Sequence, residues 1–539
     1  MGGGLGAVPG SLWVRPKDLS RVNSRAVWNR FGKFVRCLVI FSPVIEASPS
    51  GMGLSFLTPG TALLSPVVNT VGWQRTVRGQ DSGVHAFDFD AVVIGGGSAG
   101  YAAARTLVAA GQKIAVVDGS RELGGLCILR GCMPTKALLH AAHLRHSIRE
   151  AEHWGITVKD VQVNLPRLFD HKDRLIAEFA GYRRQQLERG RWELIRVMGA
   201  FEDPHTLRLD SGRRITAEHF VIATGSELAR PPVPGLEQVG YLHSDTALRL
   251  DRLPESLVVL GAGAVALEFA QFFSRMGTRV TVIQRGSHVL RDADPDVAHE
   301  LEAALRKEGL QICTDTRLLG VSSCPEGKRV TFLQEGREQT IVAEEIFHGM
   351  GRQPAVTSLN LSAAGVVVDD RGRIRADVLQ RTSCPHIYAA GDCCGPHEIV
   401  HWAIQQGEVA AKNILGQAAA MDERLLISVV FTDPGVAMVG MTETAVRSAG
   451  LEFGTAGYPF NDHGKSMILG CQHGFVKLLA ARPSGEILGG ACVGPQAGEL
   501  IHEIVAALHG RMTVAQLAAL PHYHPTLAEI WTYPAEELM

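Results

Sequence analysis

The clearest pattern along the chain is a repeated alternation of apolar runs, glycine clusters and helix-like stretches. The first copy reads AVVIGGGSAGYAAARTLVAAGQKIAVVDGS (91–120), and the second reads LVVLGAGAVALEFAQFFSRMGTRVTVIQRGS (257–287). Each copy has an apolar run, a glycine-rich turn, a helix rich in small residues and a second apolar run. Because parallel strands need a crossover connection, each copy predicts a β-α-β unit.

Both copies carry the spacing of a dinucleotide-binding turn. The turn positions are Gly95, Gly97 and Gly100 in the first copy, and Gly261, Gly263 and Ala266 in the second. The first position allows a tight turn, the second lets the backbone approach a pyrophosphate, and the third lets the helix pack closely on the strand. The N-terminus of the helix then offers free N–H groups to phosphate. The repeat therefore predicts two nucleotide sites.

The two copies differ at the end of the second strand. Asp118 stands there in the first copy, and an acid at this place accepts hydrogen bonds from the ribose hydroxyls of FAD or NAD. Gln284 replaces the acid in the second copy, and Arg285 and Arg291 follow it. Arginines near this strand end suit a 2′-phosphate, although they are also common as solvated surface charges. We expect the nicotinamide cofactor to be NADP or NAD, with NADPH favoured.

Composition and charge narrow the class of protein. The chain has 539 residues, of which 46% are hydrophobic and 20% charged, with 59 glycines, as is typical of an α/β protein with many tight turns. The formal net charge of −2 gives no sign of a surface for nucleic acid or for an anionic membrane. We expect neither kind of partner.

The first 84 residues differ from the rest of the chain. They carry nine Arg and Lys but only two acids before Asp81, and they show no periodicity. The apolar run at 37–45 is too short to span a bilayer. An acid-poor leader with arginines is typical of a transit peptide, but we favour a disordered extension or upstream sequence translated from a mis-assigned start. Residues 1–84 are therefore left out of the fold prediction.

Ten cysteines are too few for a disulfide scaffold, so we expect a reducing, cytoplasmic compartment where a functional disulfide is catalytic and transient. Cys127 and Cys132 lie in the stretch GGLCILRGCMPTKALL (124–139). No second ligand pair for a structural zinc site stands out, and no metal is expected. The surrounding glycines and Pro134 distort the backbone enough to bring the two sulfurs together. The pair follows the first nucleotide unit directly, as a dithiol–disulfide exchange enzyme requires.

The stretch GGLCILRGCMPTK resembles the active-site signature of the class I pyridine nucleotide–disulfide oxidoreductases, the family of dihydrolipoamide dehydrogenase, glutathione reductase and mercuric reductase. The resemblance covers the chain from about residue 86 to 539. Other family-like stretches follow in the expected order: VMGAF (197–201), ATGS (223–226), GAGAVALE (261–268), GMGRQP (349–354), IYAAGDC (387–393), FTDPGVAMVG (431–440) and HYHPTLAEI (522–530).

The resemblance implies an α/β fold with two Rossmann-like domains, one for FAD and one for NAD(P), and a C-terminal α/β dimerisation domain. The FAD-binding domain is predicted at 85–232 and 354–424, interrupted by the NAD(P)-binding domain at 233–353. The dimerisation domain is predicted at 425–539, and a homodimer is expected.

The resemblance also assigns roles to residues. Cys132 would lie against the flavin as the charge-transfer thiol, and Cys127 would attack the substrate disulfide. Lys136 would lie near the reactive flavin nitrogen, paired with Glu268, and Asp392 would hold the ribityl chain. The further positions implied in cofactor binding are Gly125, Ala200, Thr224, Gly225, Gly351 and Ala403.

His524 would be the acid–base for Cys127, oriented by Glu529 and contributed by the other subunit. A thiolate is the nucleophile in such chemistry, and an imidazole suits proton transfer near neutral pH. His522 is expected to be a bystander.

Within the family, the substrate stays open between two types. The chain keeps His524 and ends PAEELM without a cysteine pair, which disfavours mercuric reduction. Ala264, where glutathione reductases carry a tyrosine, favours the dihydrolipoamide dehydrogenase type, whereas Gln284 and Arg285 favour an NADPH-dependent reductase.

We therefore predict an FAD-dependent NAD(P)H:disulfide oxidoreductase most like dihydrolipoamide dehydrogenase, acting on a small or protein-bound disulfide or dithiol. A glutathione-type or other low-molecular-weight disulfide reductase is the alternative. A flavin-only electron-transfer protein and a non-catalytic nucleotide-binding scaffold are the hypotheses from other classes.

Overall fold

The computed structural model describes residues 87–230 and 232–539, which form parallel and antiparallel sheets. Residues 1–84, predicted as a leader or a disordered extension, lie outside the described residues. Up to residue 230 the strands are β1 (Phe89–Ile94), β2 (Ile114–Val117), β3 (Glu193–Ile195), β4 (Gly199–Asp203), β5 (Thr206–Leu209), β6 (Arg214–Ile222) and β7 (Ser226–Leu228). The helices are α1 (Ser98–Ala109), α2 (Gly125–Leu129), α3 (Cys132–Glu150) and α4 (Leu165–Glu188), with a 3-10 turn at Ala151–Trp154.

The next segment, 232–354, contains the second β-α-β unit. Its strands are β8 (Ser256–Leu260), β9 (Arg279–Ile283), β10 (Gln311–Cys313), β11 (Thr316–Cys324), β12 (Gly327–Gln334), β13 (Arg337–Ala343), β14 (Glu345–His348) and β15 (Arg352–Pro354). Its helices are α5 (Leu236–Val239), α6 (Ser244–Ala247), α7 (Ala264–Met276) and α8 (Pro295–Lys307).

The last segment, 355–539, returns to the first sheet and then forms a sheet of its own. Its strands are β16 (Ile387–Ala389), β17 (Ile427–Val430), β18 (Gly435–Gly440), β19 (Phe453–Pro459), β20 (Phe475–Ala481) and β21 (Ile487–Gly494). Its helices are α9 (Val400–Ile414), α10 (Glu443–Ser448), α11 (Gly464–Ile468), α12 (Ala497–His509), α13 (Val514–Ala518) and α14 (Thr532–Glu537). Its 3-10 turns are Thr357–Leu359, Leu361–Ala364, Glu423–Leu425, Phe460–Asp462 and Ala528–Trp531.

The strands join into sheets that follow the predicted β-α-β units. The first sheet has the order β3-β2-β1-β6-β5-β4, and β16 pairs with β6 in parallel. The second, β10-β9-β8-β14, is parallel throughout. Strands β11, β12 and β13 form an antiparallel sheet, and β7 pairs with β15. The C-terminal sheet, β17-β18-β21-β20-β19, is antiparallel.

Strand β1 shows why the apolar runs form buried parallel strands. Ala91 and Val93 join a core cluster on one face, and Val92 and Ile94 join another on the opposite face. All four are at most 4% exposed. A strand that is covered on both faces reads as a continuous apolar run, because successive side chains alternate between the faces.

Two helices that run in the same direction link the Cys132 segment to the second β-α-β unit. Lys136 of α3 contacts Glu268 of α7, and seven residues further along each helix His143 contacts Arg275. Apolar side chains of both helices share one core cluster. In the part of the chain that the structure describes, no helix has the length and hydropathy needed to cross a membrane.

Candidate active site

The two cysteines lie on either side of a break between helices. Cys127 belongs to α2, and Cys132 is the first residue of α3, after Gly131. A Cβ atom on Gly125 would come within 2.9 Å of Gly97 Cα, and the φ of Gly125 is +78°. Only glycine therefore lets this segment pack against the first nucleotide turn. The distortion expected around the pair is present, and the two thiols lie close enough to shift each other's pKa.

The two thiols have opposite electrostatic environments. A hydrogen bond from Cys127 and the nearby charge of Lys136 lower the pKa of Cys132 to about 7, against an opposing effect of burial. The same hydrogen bond, together with burial, raises the pKa of Cys127 far above its ordinary value. In the dithiol state Cys132 is therefore the thiolate and Cys127 the proton donor to it.

Lys136 is fixed beside the pair by a buried carboxylate. Its Nζ lies 2.7 Å from Glu268 Oε2, and the Glu268 side chain is only 2% exposed. The other oxygen of Glu268 accepts a hydrogen bond of 3.0 Å from the backbone N–H of Phe431, whose ring lies 4.5 Å from Lys136 Nζ. The structure thus brings together the predicted partners Lys136 and Glu268, which are 132 residues apart.

The first nucleotide turn has the features that FAD requires. The N–H of Gly95 donates to Val117 O, and a Cβ atom on Gly100 would come within 1.8 Å of Gly95 O. Gly97 precedes α1, and no side chain caps the helix there. The carboxylate of Asp118 accepts hydrogen bonds from the N–H groups of Gly96 (2.8 Å) and Ser120 (2.9 Å) at the strand end. Open helix N–H groups and a fixed carboxylate fit a pyrophosphate and a ribose.

A second part of this region surrounds Asp392. Ser226 Oγ lies 2.7 Å from Asp392 Oδ2, and Arg352 Nε donates to Ser226 Oγ at 2.8 Å. The hydroxyl of Thr224 is buried without a protein hydrogen-bond partner. A buried hydroxyl without a protein partner, two residues before the serine that holds Asp392, fits a bound polar cofactor. These residues can therefore hold the ribityl and phosphate part of FAD.

The remaining predicted flavin positions lie in four different segments. Ala200 is half-buried on β4, Gly225 lies between β6 and β7, Gly351 immediately precedes β15, and Ala403 is buried in α9. The backbone oxygen of Gly351 accepts a hydrogen bond from Ala229 N, which ties its segment to β7. Among the described residues, no hydrogen bond joins Ala200 to the other three. Their cofactor contacts stay predictions.

The second nucleotide turn repeats the geometry of the first. Gly261 N–H donates to Ile283 O, Gly263 precedes α7 without a side-chain cap, and Ala266 is fully buried. A Cβ atom on Gly263 would meet nothing within 4 Å, so the space next to the helix N-terminus is open. That space fits a second pyrophosphate.

The strand end that distinguishes the cofactors is polar but carries no acid. The amide of Gln284 donates to His288 O at 3.1 Å, so its side chain is folded onto its own loop. Arg285 is exposed. Arg291 is exposed as well and lies 3.3 Å from the carboxylate of its neighbour Asp292. Because Arg291 already contacts Asp292, Arg285 is the arginine that is available to bind a phosphate.

The C-terminal histidine lies at the surface of the chain. The His524 side chain is 78% exposed, and its Nδ1 lies 3.1 Å from Glu529 Oε2. Glu529 is buried in a 3-10 turn. His522, expected to be a bystander, binds Glu503 at 2.7 Å instead. Within the described residues, neither Cys127 nor Cys132 forms a hydrogen bond with His524 of the same chain.

Several residues near the site escaped sequence analysis. Arg183 of α4 stacks on Tyr101 at 4.2 Å. Burial lowers its pKa, while the charges of Tyr101 and Cys127 act in the opposite direction. Ser226 and Arg352 orient Asp392, as described above. No local pattern marks these side chains, because their partners lie far away in the sequence.

In residues 87–230 and 232–539, no cluster of three metal-ligating side chains occurs.

Comparison with known proteins supports the same assignment. The family model described as pyridine nucleotide-disulphide oxidoreductase matches residues 89–407, and the model of its dimerisation domain matches residues 426–535. A dihydrolipoyl dehydrogenase from Thermus scotoductus is 37% identical over 84% of this chain and 97% of its own length. A dihydrolipoyl dehydrogenase from Geobacillus stearothermophilus is 32% identical, also over 84% of this chain and 97% of its own length.

Solved structures match over the same part of the chain. LpdA from Mycobacterium tuberculosis aligns with a TM-score of 0.75 and 28% identity over 83% of this chain and 99% of its own. The Cu(II) complex of RclA, an HOCl-induced flavoprotein disulfide reductase from Escherichia coli, aligns with a TM-score of 0.73 and 26% identity over 82% of this chain and 98% of its own. The predicted α/β fold class and the predicted family are confirmed: the chain belongs to the pyridine nucleotide-disulphide oxidoreductase family.

Proposed function

We propose that this protein is an FAD-dependent NAD(P)H:disulfide oxidoreductase, most similar to dihydrolipoamide dehydrogenase, with Cys127 and Cys132 as its redox-active pair. The single observation that supports the proposal best is the asymmetry of the pair. Contact with Cys127 and the charge of Lys136 make Cys132 the thiolate, while the pKa of Cys127 is raised. A purely structural pair would not need a lysine held beside its sulfurs by a buried glutamate.

When bound, FAD would pass the two electrons of a hydride from NAD(P)H to the disulfide. Residues of this chain would stabilise the thiolate and carry out the exchange with the substrate. Lys136, held by Glu268, keeps a positive charge beside Cys132 and stabilises its thiolate. Cys127 would give its proton to a base and attack the substrate disulfide, and the first departing sulfur would take up a proton. The Cys132 thiolate would then attack the mixed disulfide at Cys127, which releases the second substrate sulfur and re-forms the Cys127–Cys132 disulfide. The same steps run in reverse when a dithiol is the donor.

We propose His524 as the group that supplies and removes this proton in a homodimer. Its exposed imidazole and its hydrogen bond to the buried Glu529 support the role, and so does the match of residues 426–535 to a dimerisation domain. In this proposal His524 serves Cys127 of the partner subunit. Light scattering of the purified protein tests the oligomeric state, and a monomer with full disulfide turnover would contradict it.

We further propose that NADPH is preferred to NADH. The support is the absence of an acid at Gln284 together with the exposed Arg285 that follows it. Arg285→Ala should lower kcat/KM for NADPH about tenfold, since a charge-assisted contact to phosphate is lost, and should leave NADH unchanged. Arg291→Ala is the matched control, because Arg291 already faces Asp292. Equal loss with both cofactors would contradict the preference.

The central experiment is a steady-state assay of NADH and NADPH with lipoamide and with glutathione disulfide, alongside Cys127→Ser. The variant should lose disulfide turnover while NAD(P)H still reduces the flavin, because Cys127 is needed only for the exchange step. Retained turnover would refute the function. Glutathione disulfide as the better substrate would favour the alternative, a reductase of low-molecular-weight disulfides. We also propose that the protein acts in a reducing, cytoplasmic compartment.

A further inference from the structure

A second histidine holds the carboxylate that contacts His524. Glu529 Oε2 binds His524 Nδ1 at 3.1 Å, and Glu529 Oε1 lies 3.2 Å from Nε2 of His463. His463 is fully buried, between the 3-10 turn Phe460–Asp462 and helix α11. Its other ring nitrogen, Nδ1, lies 2.7 Å from Ser466 Oγ. One carboxylate therefore bridges an exposed imidazole and a buried one.

The protonation of His463 follows from its neighbours. Burial lowers its pKa, against the opposing effect of Glu529, and His524 adds to the lowering. The remaining titratable ring packed against it is Tyr533, with ring centroids 6.1 Å apart. A carboxylate only accepts hydrogen bonds, so Nε2 of the neutral ring carries the proton and donates it to Glu529. Nδ1 then accepts the hydrogen of the Ser466 hydroxyl, which fixes this tautomer.

The arrangement fixes both oxygens of Glu529 and, through them, the ring of His524. With Oε1 bound to His463, Oε2 faces His524, and the Nε2 side of the His524 ring stays free for a reacting sulfur. Without His463, the buried Oε1 would lack a donor, and the carboxylate would turn to find one. The exposed His524 ring would then lose its only described anchor.

We infer that His463 is a positioning residue for disulfide exchange, acting through Glu529 to orient His524. The inference rests on the proposed function, because His463 has no effect on turnover if His524 does not transfer the proton. His463, Glu529 and His524 belong to the same chain, so each subunit contains the complete hydrogen-bonded set.

Two substitutions at one position test the role. His463→Leu removes the donor, and His463→Gln keeps an amide N–H that can reach Glu529. We expect His463→Leu to lower kcat for disulfide reduction about tenfold, because misorientation of a reacting group costs up to about 100-fold. KM for NAD(P)H and the rate of flavin reduction should not change. His463→Gln should recover turnover to within about threefold of the native enzyme.

A double-mutant cycle separates positioning from general packing. In a Glu529→Ala background, His463→Leu should cause less than about a twofold further loss, because the partner through which it acts is gone. A full tenfold loss in that background would overturn the inference, as would equal turnover of the Leu and Gln variants.

If His463→Leu does not fold, Ser466→Ala tests the same inference. It removes only the hydroxyl that fixes the tautomer, and we expect about a threefold loss of kcat that disappears in the Glu529→Ala background. Unchanged turnover of Ser466→Ala would then overturn the inference. Cys127→Ser distinguishes the two failures: if that variant is inactive while the His463 variants are fully active, the inference falls and the proposed function stands.

Discussion

The acidity of Cys132 gives the sharpest prediction, because two neighbouring charges act on it with opposite signs. Lys136 lowers the pKa of Cys132, and Glu268 raises it. The hydrogen bond from Cys127 is the largest cause of the fall from the ordinary value of 9.0 to about 7, which corresponds to about 3 kcal/mol in favour of the thiolate, and Lys136 contributes to it. A single opposite charge at close range accounts for a shift of about one pH unit or more.

Neutral substitutions of the two partners should therefore move the same titration in opposite directions. Lys136→Met should raise the pKa of Cys132 by about one unit, since the favourable charge is lost. Glu268→Gln should lower it, since the unfavourable charge is lost. The thiolate of Cys132 predominates above its pKa, so Lys136→Met shifts the onset of reactivity to higher pH and Glu268→Gln shifts it to lower pH.

Alkylation of the reduced protein over a range of pH measures this titration directly. Trypsin cleaves after Arg130, so Cys127 and Cys132 fall on separate peptides and are quantified independently. Lys113→Met serves as the control, since Lys113 is exposed and is not among the charges that act on either thiol. A Cys132 midpoint that stays in place in Lys136→Met, or rises in Glu268→Gln, would refute the electrostatic argument.

Other substitutions test different parts of the structure. Lys477→Met should lower the free energy of unfolding, measured by chemical denaturation, by about 3–5 kcal/mol, because the buried Asp294 carboxylate, 3.0 Å away, loses its cationic partner. A free energy of unfolding that is unchanged within error would contradict this. Gly263→Ala should raise KM for NAD(P)H at an unchanged melting temperature, because the added methyl group enters the open space at the N-terminus of α7 where the phosphate is expected. The control Gly181→Ala, on α4, should leave KM unaltered. Ser226→Ala should weaken FAD affinity about tenfold in titrations of the apoprotein, since Asp392 loses its partner; native affinity would argue against that role.

The nucleotide-binding units could be predicted because their signals are local. In the stretch from Ala91 to Asp118, strand, turn and helix follow one another within thirty residues. Gly95 has a φ of +104°, a backbone conformation that favours glycine whatever its neighbours. A Cβ atom on Gly100 would meet the oxygen of Gly95, five residues earlier. The order of residues alone therefore determines these turns.

The Cys127–Cys132 pair was only partly predictable. Its spacing and glycines indicated a distorted turn, and the resemblance to a family assigned the roles. The difference in acidity between the sulfurs depends first on the contact between the two thiols, and Lys136, held by Glu268 from a distant helix, lowers the pKa of both. Sequence spacing does not determine such a difference, because a pKa depends on distances and burial in the folded protein.

By itself, the sequence determined the two nucleotide turns, the cysteine pair and the C-terminal histidine, because each is encoded by neighbours along the chain. Only the tertiary structure decided what surrounds them. Folding brings His463 to Glu529 across 66 residues and Ser226 to Asp392 across 166, and it buries Glu268 beside Lys136. These contacts arise from the packing of separate segments, which leaves no periodic trace in the sequence.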